Sequence, residues 1–189
     1  MSRFIAQDTP LEGLVLLERQ PVGDRRGFLD RLFCKEGLSD SLAGRGIVQV
    51  NHTFTSVRGT VRGMHFQYPP HAETKLVSCL QGKVFDVAVD LRAYSKTFLQ
   101  WYGVRLSGEN RRTLLIPEGF AHGFQTLAED CEMLYLHTAA YAPGSEGAVN
   151  ALDPFLDIRW PLDVAERSER DMAHPLLDAA YAGVSGARR

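Results

Sequence analysis

Arg62, His65 and Gln67 bring a cation, an imidazole and an amide together around Gly63, in the run Arg62-Gly63-Met64-His65-Phe66-Gln67, and Lys75 follows eight residues later. A buried core strand has no use for so much charge and hydrogen-bonding capacity. An imidazole suits general-base chemistry near neutral pH, and such a base needs neighbouring groups that hold a substrate against it. A single strand histidine is more often structural, and it is the company of Arg62, Gln67 and Lys75 that points to chemistry. The turn Pro117-Glu118-Gly119-Phe120-Ala121-His122 delivers a second histidine. Together these residues describe a polar pocket for an anionic small molecule.

The other candidates each have a plainer reading beside the functional one. Pro-x-Gly-x-x-His is half of the metal pattern of cupin barrels. The other half, a His-x-His pair, would fall on His65-Phe66-Gln67 and lacks one imidazole. His65, His122 and Glu73 would make only a weak metal site. Tyr135 sits mid-strand, where an aromatic is usually core, yet a phenol with an ordinary pKa of about 10 can give a proton to a carbanion. Arg26, in Asp24-Arg25-Arg26-Gly27-Phe28, is either a solvated turn residue or a fork for phosphate oxygens. Asp171, in Ser168-Glu169-Arg170-Asp171, looks by itself like a solvated helix residue. Tyr141 is a packing aromatic or a stacking platform.

The elements that must position these groups are mostly strands. From about residue 47 to 140, short runs of β-formers alternate with turn signals, the pattern of an all-β sandwich or barrel. Lys83 to Leu91 shows a period of two: Phe85, Val87, Val89 and Leu91 form an apolar face, and Val84, Asp86, Ala88 and Asp90 a partly polar one. Gln81-Gly82 suggests a tight hairpin turn back to residues 75–80. Further strands are expected over 100–106, 112–116 and 132–138, with Met133, Tyr135 and His137 on one face. A short helix is expected at 39–42, and helical stretches at 163–167 and 176–182, with a frayed tail after Gly183. The expectation is one all-β domain over residues 1–189, a cupin-like jelly roll or barrel with a core of about 10–162 and short peripheral and C-terminal helices.

The bulk composition narrows the function. With 44% hydrophobic and 23% charged residues and a net charge of −2, the chain lacks the basic surplus of a nucleic-acid binder. At 189 residues it buries enough surface to need no staple. Cys34, Cys79 and Cys131 are an odd, scattered set, suited to small core side chains in a reducing compartment rather than to disulfides or zinc. The N-terminus carries no apolar run of signal length and no segment approaches membrane-spanning length, so a cytoplasmic protein without membrane partners is expected.

Taken in order, the motifs resemble the dTDP-4-dehydrorhamnose 3,5-epimerase family. They are Asp24-x-Arg26-Gly27-Phe28, Val48-Gln49-x-Asn51-His52, Arg62 through Gln67, Lys75-Leu76-Val77 and Asp86 through Arg92. Ile116 through Phe124, Tyr135, Tyr141-Ala142-Pro143, Asp153-Pro154 and Ile158-x-Trp160-Pro161 complete a set spanning about residues 10 to 180. The resemblance implies a cupin-like barrel that inverts C3 and C5 of a nucleotide-linked 4-keto-6-deoxy sugar through an enolate, with no metal or organic cofactor. It implies His65 as base, Tyr135 as acid, Asp171 as partner of His65, and Lys75 as stabiliser of the enolate. It places Arg26, Arg62 and His122 near phosphate or sugar oxygens, Gln49 and Asn51 at the nucleoside, Tyr141 against the base, and Glu146 and Arg170 at further substrate contacts. It also implies a homodimer that exchanges N-terminal strands.

Three positions depart from the family pattern. Arg31 stands where a glutamate is usual, Ala151-Leu152-Asp153 replaces Trp-Asn-Asp, and Arg170 replaces a lysine, keeping the charge but not the geometry. The proposed base, acid and lysine are untouched by them. The alternatives are a C3-only or C5-only epimerase, a user of GDP- or CDP-linked sugars, a metal-dependent cupin enzyme, and a non-catalytic sugar-nucleotide binder.

Overall fold

The computed structural model describes residues 3–185, and its regular structure is nearly all antiparallel sheet. One sheet has six strands in the order β1-β2-β10-β7-β12-β5. These are Phe4–Asp8 (β1), Val15–Arg19 (β2), Arg112–Ile116 (β10), Lys75–Gln81 (β7), Cys131–His137 (β12) and Gln49–Thr55 (β5). The second has five, in the order β13-β6-β11-β8-β9: Glu146–Ala148 (β13), Val61–Gln67 (β6), Phe120–Thr126 (β11), Lys83–Asp90 (β8) and Trp101–Ser107 (β9). Val22–Asp24 (β3) and Gly27–Leu29 (β4) form a separate hairpin. Among the described residues the α-helices are two short ones, Ser39–Leu42 (α1) and Glu169–Met172 (α2), with a 3-10 turn at Pro143–Ser145. Among the described residues no helix is long and apolar enough to cross a membrane.

The sheets face each other across a core that includes Val77, Ala88, Leu114, Ile116, Phe124 and Met133. Each outer face carries a core of its own. Leu38 and Leu42 cover the six-stranded sheet at Leu17, Leu76, Leu115 and Leu136. Residues 149–184 wrap the five-stranded sheet, setting Val149, Ala151, Leu156 and Val184 on Val61, Met64, Val87 and Val89. Both faces of β8 are therefore buried, and the partly polar one points into the sandwich, where Asp86 and Asp90 are fully enclosed. Cys79 and Cys131 are core residues, and Cys34 is half-buried.

Several local expectations are corrected. Gln81-Gly82 does not close a hairpin: β7 pairs with β10 and β12, while β8 pairs with β9 and β11. The chain crosses there from one sheet to the other. Gly82 makes the step at φ +77°, with Cys131 Sγ 2.7 Å from where a Cβ would sit. Residues 163–167 and 176–182 are not helical. The first stretch gives its backbone to strand-like pairing, with Val61 N–H donating to Glu166 O at 2.9 Å and Ala165 N–H to Gly59 O at 3.0 Å. The second is drawn away by side-chain acceptors, Leu177 N–H donating to the Asp153 carboxylate. Nor is the chain frayed just past Gly183, since Val184 is buried and bridges Arg92; residues 186–189 lie outside the described range. At the other end β1 pairs with β2 of its own chain.

Candidate active site

Between the sheets, at the end where β5, β6, β12 and β13 meet, lies a cavity of about 340 Å³. That is within the usual size range for small-molecule sites. The six-stranded sheet lines it with Gln49, Asn51 and Thr53 of β5, Lys75 of β7, and Tyr135 and His137 of β12. The five-stranded sheet supplies Arg62, His65 and Gln67 of β6, His122 of β11 and Glu146 of β13, while Glu73 and Tyr141 come from loops.

Arg62 and His65 are three apart, which in a regular strand would set them on opposite faces. A bulge resolves this. His65 stands opposite His122 and Arg62 opposite Phe124, so β6 spends one extra residue across from β11. Gly63 makes it possible: its φ is +124°, and a Cβ there would meet Gly123 Cα at 2.5 Å.

Asp171 is not solvated. It is 4% exposed and accepts from His65 Nε2 on one oxygen at 2.7 Å and from Gly63 N–H on the other at 3.2 Å. Burial alone would raise its pKa, but the hydrogen bond and charge of His65, with the Gly63 and Ser168 hydrogen bonds, outweigh this and hold the carboxyl below its usual range. With Nε2–H given to Asp171, Nδ1 is the ring nitrogen left with a lone pair.

Tyr135 lies across the cavity on the other sheet, its ring edge-on to His122 with centroids 6.0 Å apart and alongside His137 at 6.2 Å. Burial of the phenol pushes its pKa well above the ordinary value, so it stays a proton donor. Lys75 Nζ donates to the His65 carbonyl oxygen at 3.3 Å and sits 3.1 Å from Glu73 Oε1, which places an ammonium directly beside the imidazole's own residue. His122 is held by Asp86, 2.8 Å from its Nε2, and burial raises the Asp86 carboxyl above its usual pKa. These partners divide the weak metal set, because His65 is bound to Asp171, His122 to Asp86, and Glu73 to Lys75 and His137.

At the rim, Tyr141 O–H donates to Glu146 Oε2 at 2.8 Å, and Arg170 pairs with the other Glu146 oxygen. Gln49 accepts from Tyr141 N–H at 2.9 Å and donates to Asn51 at 3.2 Å. Arg62 donates to Thr55 at 3.2 Å. Nine of the twelve residues expected at the site line the cavity, Asp171 and Arg170 join it through His65 and Glu146, and only Arg26 stands apart. It is paired with Asp24 on the β3–β4 hairpin, its side chain 83% exposed, and does not line this cavity.

Two residues that the sequence reading placed otherwise, Glu73 in a weak metal set and Gln67 as a substrate-holding amide, act here as braces. Glu73 accepts from His137 Nδ1 at 2.7 Å as well as from Lys75; burial opposes its ionisation, but these two partners outweigh it and lower its pKa. Gln67 is a brace, donating to the His71 and Ala140 carbonyls and accepting from Ala142 N–H at 2.6 Å, which fixes the loop that carries Tyr141. The one available signal for His137 was that it shares a strand face with Tyr135.

Comparison with known proteins gives one answer. Residues 8–179 match the model of a family described as dTDP-4-dehydrorhamnose 3,5-epimerase. A protein of that name from Salmonella typhimurium is 47% identical over 180 residues, covering 94% of this chain and 97% of its own length. Among solved structures, a dTDP-6-deoxy-D-glucose-3,5-epimerase from Legionella pneumophila, in complex with dTDP-4-keto-L-rhamnose, superposes with a TM-score of 0.88. It is 40% identical and covers 97% of this chain and 100% of that one. A dTDP-4-dehydrorhamnose 3,5-epimerase from Bacillus anthracis, with TDP and PPi bound, also gives 0.88, at 39% identity and with 92% and 99% covered. With a cupin-like double sheet, an imidazole–carboxylate pair facing a phenol, and relatives matching along nearly its whole length, the chain belongs to the dTDP-4-dehydrorhamnose 3,5-epimerase family and is a carbohydrate-epimerising isomerase.

Proposed function

We propose that this enzyme converts dTDP-4-dehydro-6-deoxyglucose to dTDP-4-dehydrorhamnose by inverting C3 and C5. The observation that carries the reading is His65 on one sheet, paired with Asp171 of α2 and facing the buried phenol of Tyr135 on the other sheet. Hydrogens at C3 and C5 are acidic because the electron pair left behind spreads onto the C4 oxygen. His65 Nδ1 takes the proton, and Asp171 stabilises the resulting imidazolium and fixes its ring. The Lys75 ammonium meets the charge on the enolate oxygen. Tyr135 O–H delivers a proton to the opposite face of the same carbon. A placed acid or base supplies roughly 10²–10⁴-fold, and an oxyanion donor about 3–4 kcal/mol.

Arg62, Gln49, Asn51, Tyr141, Glu146, Arg170 and His122 hold the nucleotide diphosphate and the sugar. Arg26 contributes from a second copy. The enzyme works as a homodimer in which one chain's β3–β4 hairpin reaches the partner's cavity. What supports this is an exposed apolar stripe of Val50 and Phe54 on the edge strand β5, with Val48 just before it, together with the exposed Phe28 and Leu29 of the hairpin. Three unpaired cysteines suit the cytoplasm.

Proton NMR with dTDP-4-keto-6-deoxyglucose in D₂O tests the chemistry. Loss of both the C3 and C5 proton signals, abolished by His65→Ala, is the expected result. Exchange at one carbon makes this a single-site epimerase, and no exchange removes the reading.

A further inference from the structure

Asp171 faces a second imidazole that the epimerase chemistry does not use. His174, three residues on, points Nε2 at the oxygen that His65 already binds, 3.8 Å away. Its ring lies edge-on to that of His65, with centroids 5.9 Å apart. This Nε2 is buried and has no hydrogen-bond partner, which is costly for a polar nitrogen unless something else satisfies it. The segment is fixed from outside, since Asn150 Nδ2 donates to the His174 carbonyl at 2.9 Å.

The ligating atoms of His65, Asp171 and His174 all lie within 4.8 Å of one another. Two donors on one tetrahedral zinc ion, each about 2.0–2.1 Å from it, stand roughly 3.4 Å apart. The separations from the Asp171 oxygen, 2.7 Å to His65 and 3.8 Å to His174, lie on either side of that value. A metal takes an imidazole through a ring-nitrogen lone pair, and the Nε2 of His174 has no other partner. Arg170 nearby is offset by its pairing with Glu146.

We propose that His65, Asp171 and His174 form an inhibitory site for a zinc-type divalent cation. The inference rests on His65 being the base. A cation on His65 Nε2 displaces the proton now given to Asp171. In the neutral ring that proton moves to Nδ1, which becomes an N–H donor with no lone pair. The base is thereby switched off without any change in the barrel, and removal of the ion reverses the tautomer.

Equilibrium dialysis of metal-stripped protein against Zn²⁺ tests the site directly, with Co²⁺ substitution reporting its geometry through ligand-field bands. Expected are about one bound ion per chain and loss of solvent exchange in step with occupancy, reversed by a chelator. His174→Ala is expected to weaken zinc binding by roughly tenfold or more while metal-free exchange persists. That persistence shows the variant is folded, and His174→Gln serves if the alanine form is not. No bound zinc, or equal affinity in a folded His174 variant, overturns the site. Zinc binding as described in a protein that exchanges no substrate proton would leave the site standing and remove the epimerase reading instead.

Discussion

Tyr135 and His65 have separable jobs, and one substitution exposes the separation. In Tyr135→Phe the base is intact, so deuterium should still wash into the sugar from the His65 face. Delivery to the opposite face loses its donor, and epimerisation should fall by roughly 10²–10⁴-fold. Parallel measurement of exchange and product stereochemistry checks this; equal loss of both would remove Tyr135 from the acid role. Glu73 bears on stability as well. Its folded pKa is lowered by His137 and Lys75, so the contribution is present above the ordinary carboxylate pKa and lost as pH falls through the lowered one. Glu73→Gln should therefore flatten the loss of stability in acid, seen as a smaller drop in urea midpoint between about pH 5 and about pH 3. At this scale the sequence was most legible where a residue belongs to a motif, as His65 and Lys75 do. Asp171 was legible only through the family resemblance, because its burial comes from a partner 106 positions away. His174 carried no signal, since nothing in its spacing reveals what faces it.

At the scale of elements, alternation recovered what depends on a single strand. The strand at 112–116 and the helix at 39–42 emerge with the expected bounds. It failed where pairing decides. A period of two marks a strand but not its neighbour, so Gly82 passed for a hairpin when it is a crossing between sheets. The C-terminal stretches failed because their backbone groups find partners on the barrel instead of within a helix. The bulge in β6 is the element on which the site depends. Gly63→Ala must strain a backbone at φ +124° and push Cβ against Gly123. A loss of about 2–4 kcal/mol in unfolding free energy is expected, with activity falling further than stability because Arg62 and His65 lose their common face. Urea titration alongside exchange kinetics measures both.

For the whole molecule, the position of Arg26 makes the dimer proposal testable by mixing. Arg26→Ala and His65→Ala should each be impaired alone. If one chain's hairpin completes its partner's cavity, a hybrid of the two has one cavity with both residues intact, and mixing after dissociation should restore activity. No recovery in verified hybrids would return Arg26 to its own chain or to no role.

The base stands on one sheet and the acid on the other, and what holds those sheets apart is Val77, Ile116, Phe124 and Met133. The greasy interior thus acts as a spacer gauge for proton transfer. A misplacement of about 1 Å can cost 10²-fold in rate, whereas removing one core methylene costs only about 1 kcal/mol. Trimming Ile116 to valine should therefore register in turnover before it registers in melting, and the reaction rate becomes a micrometer reading of how the core is filled.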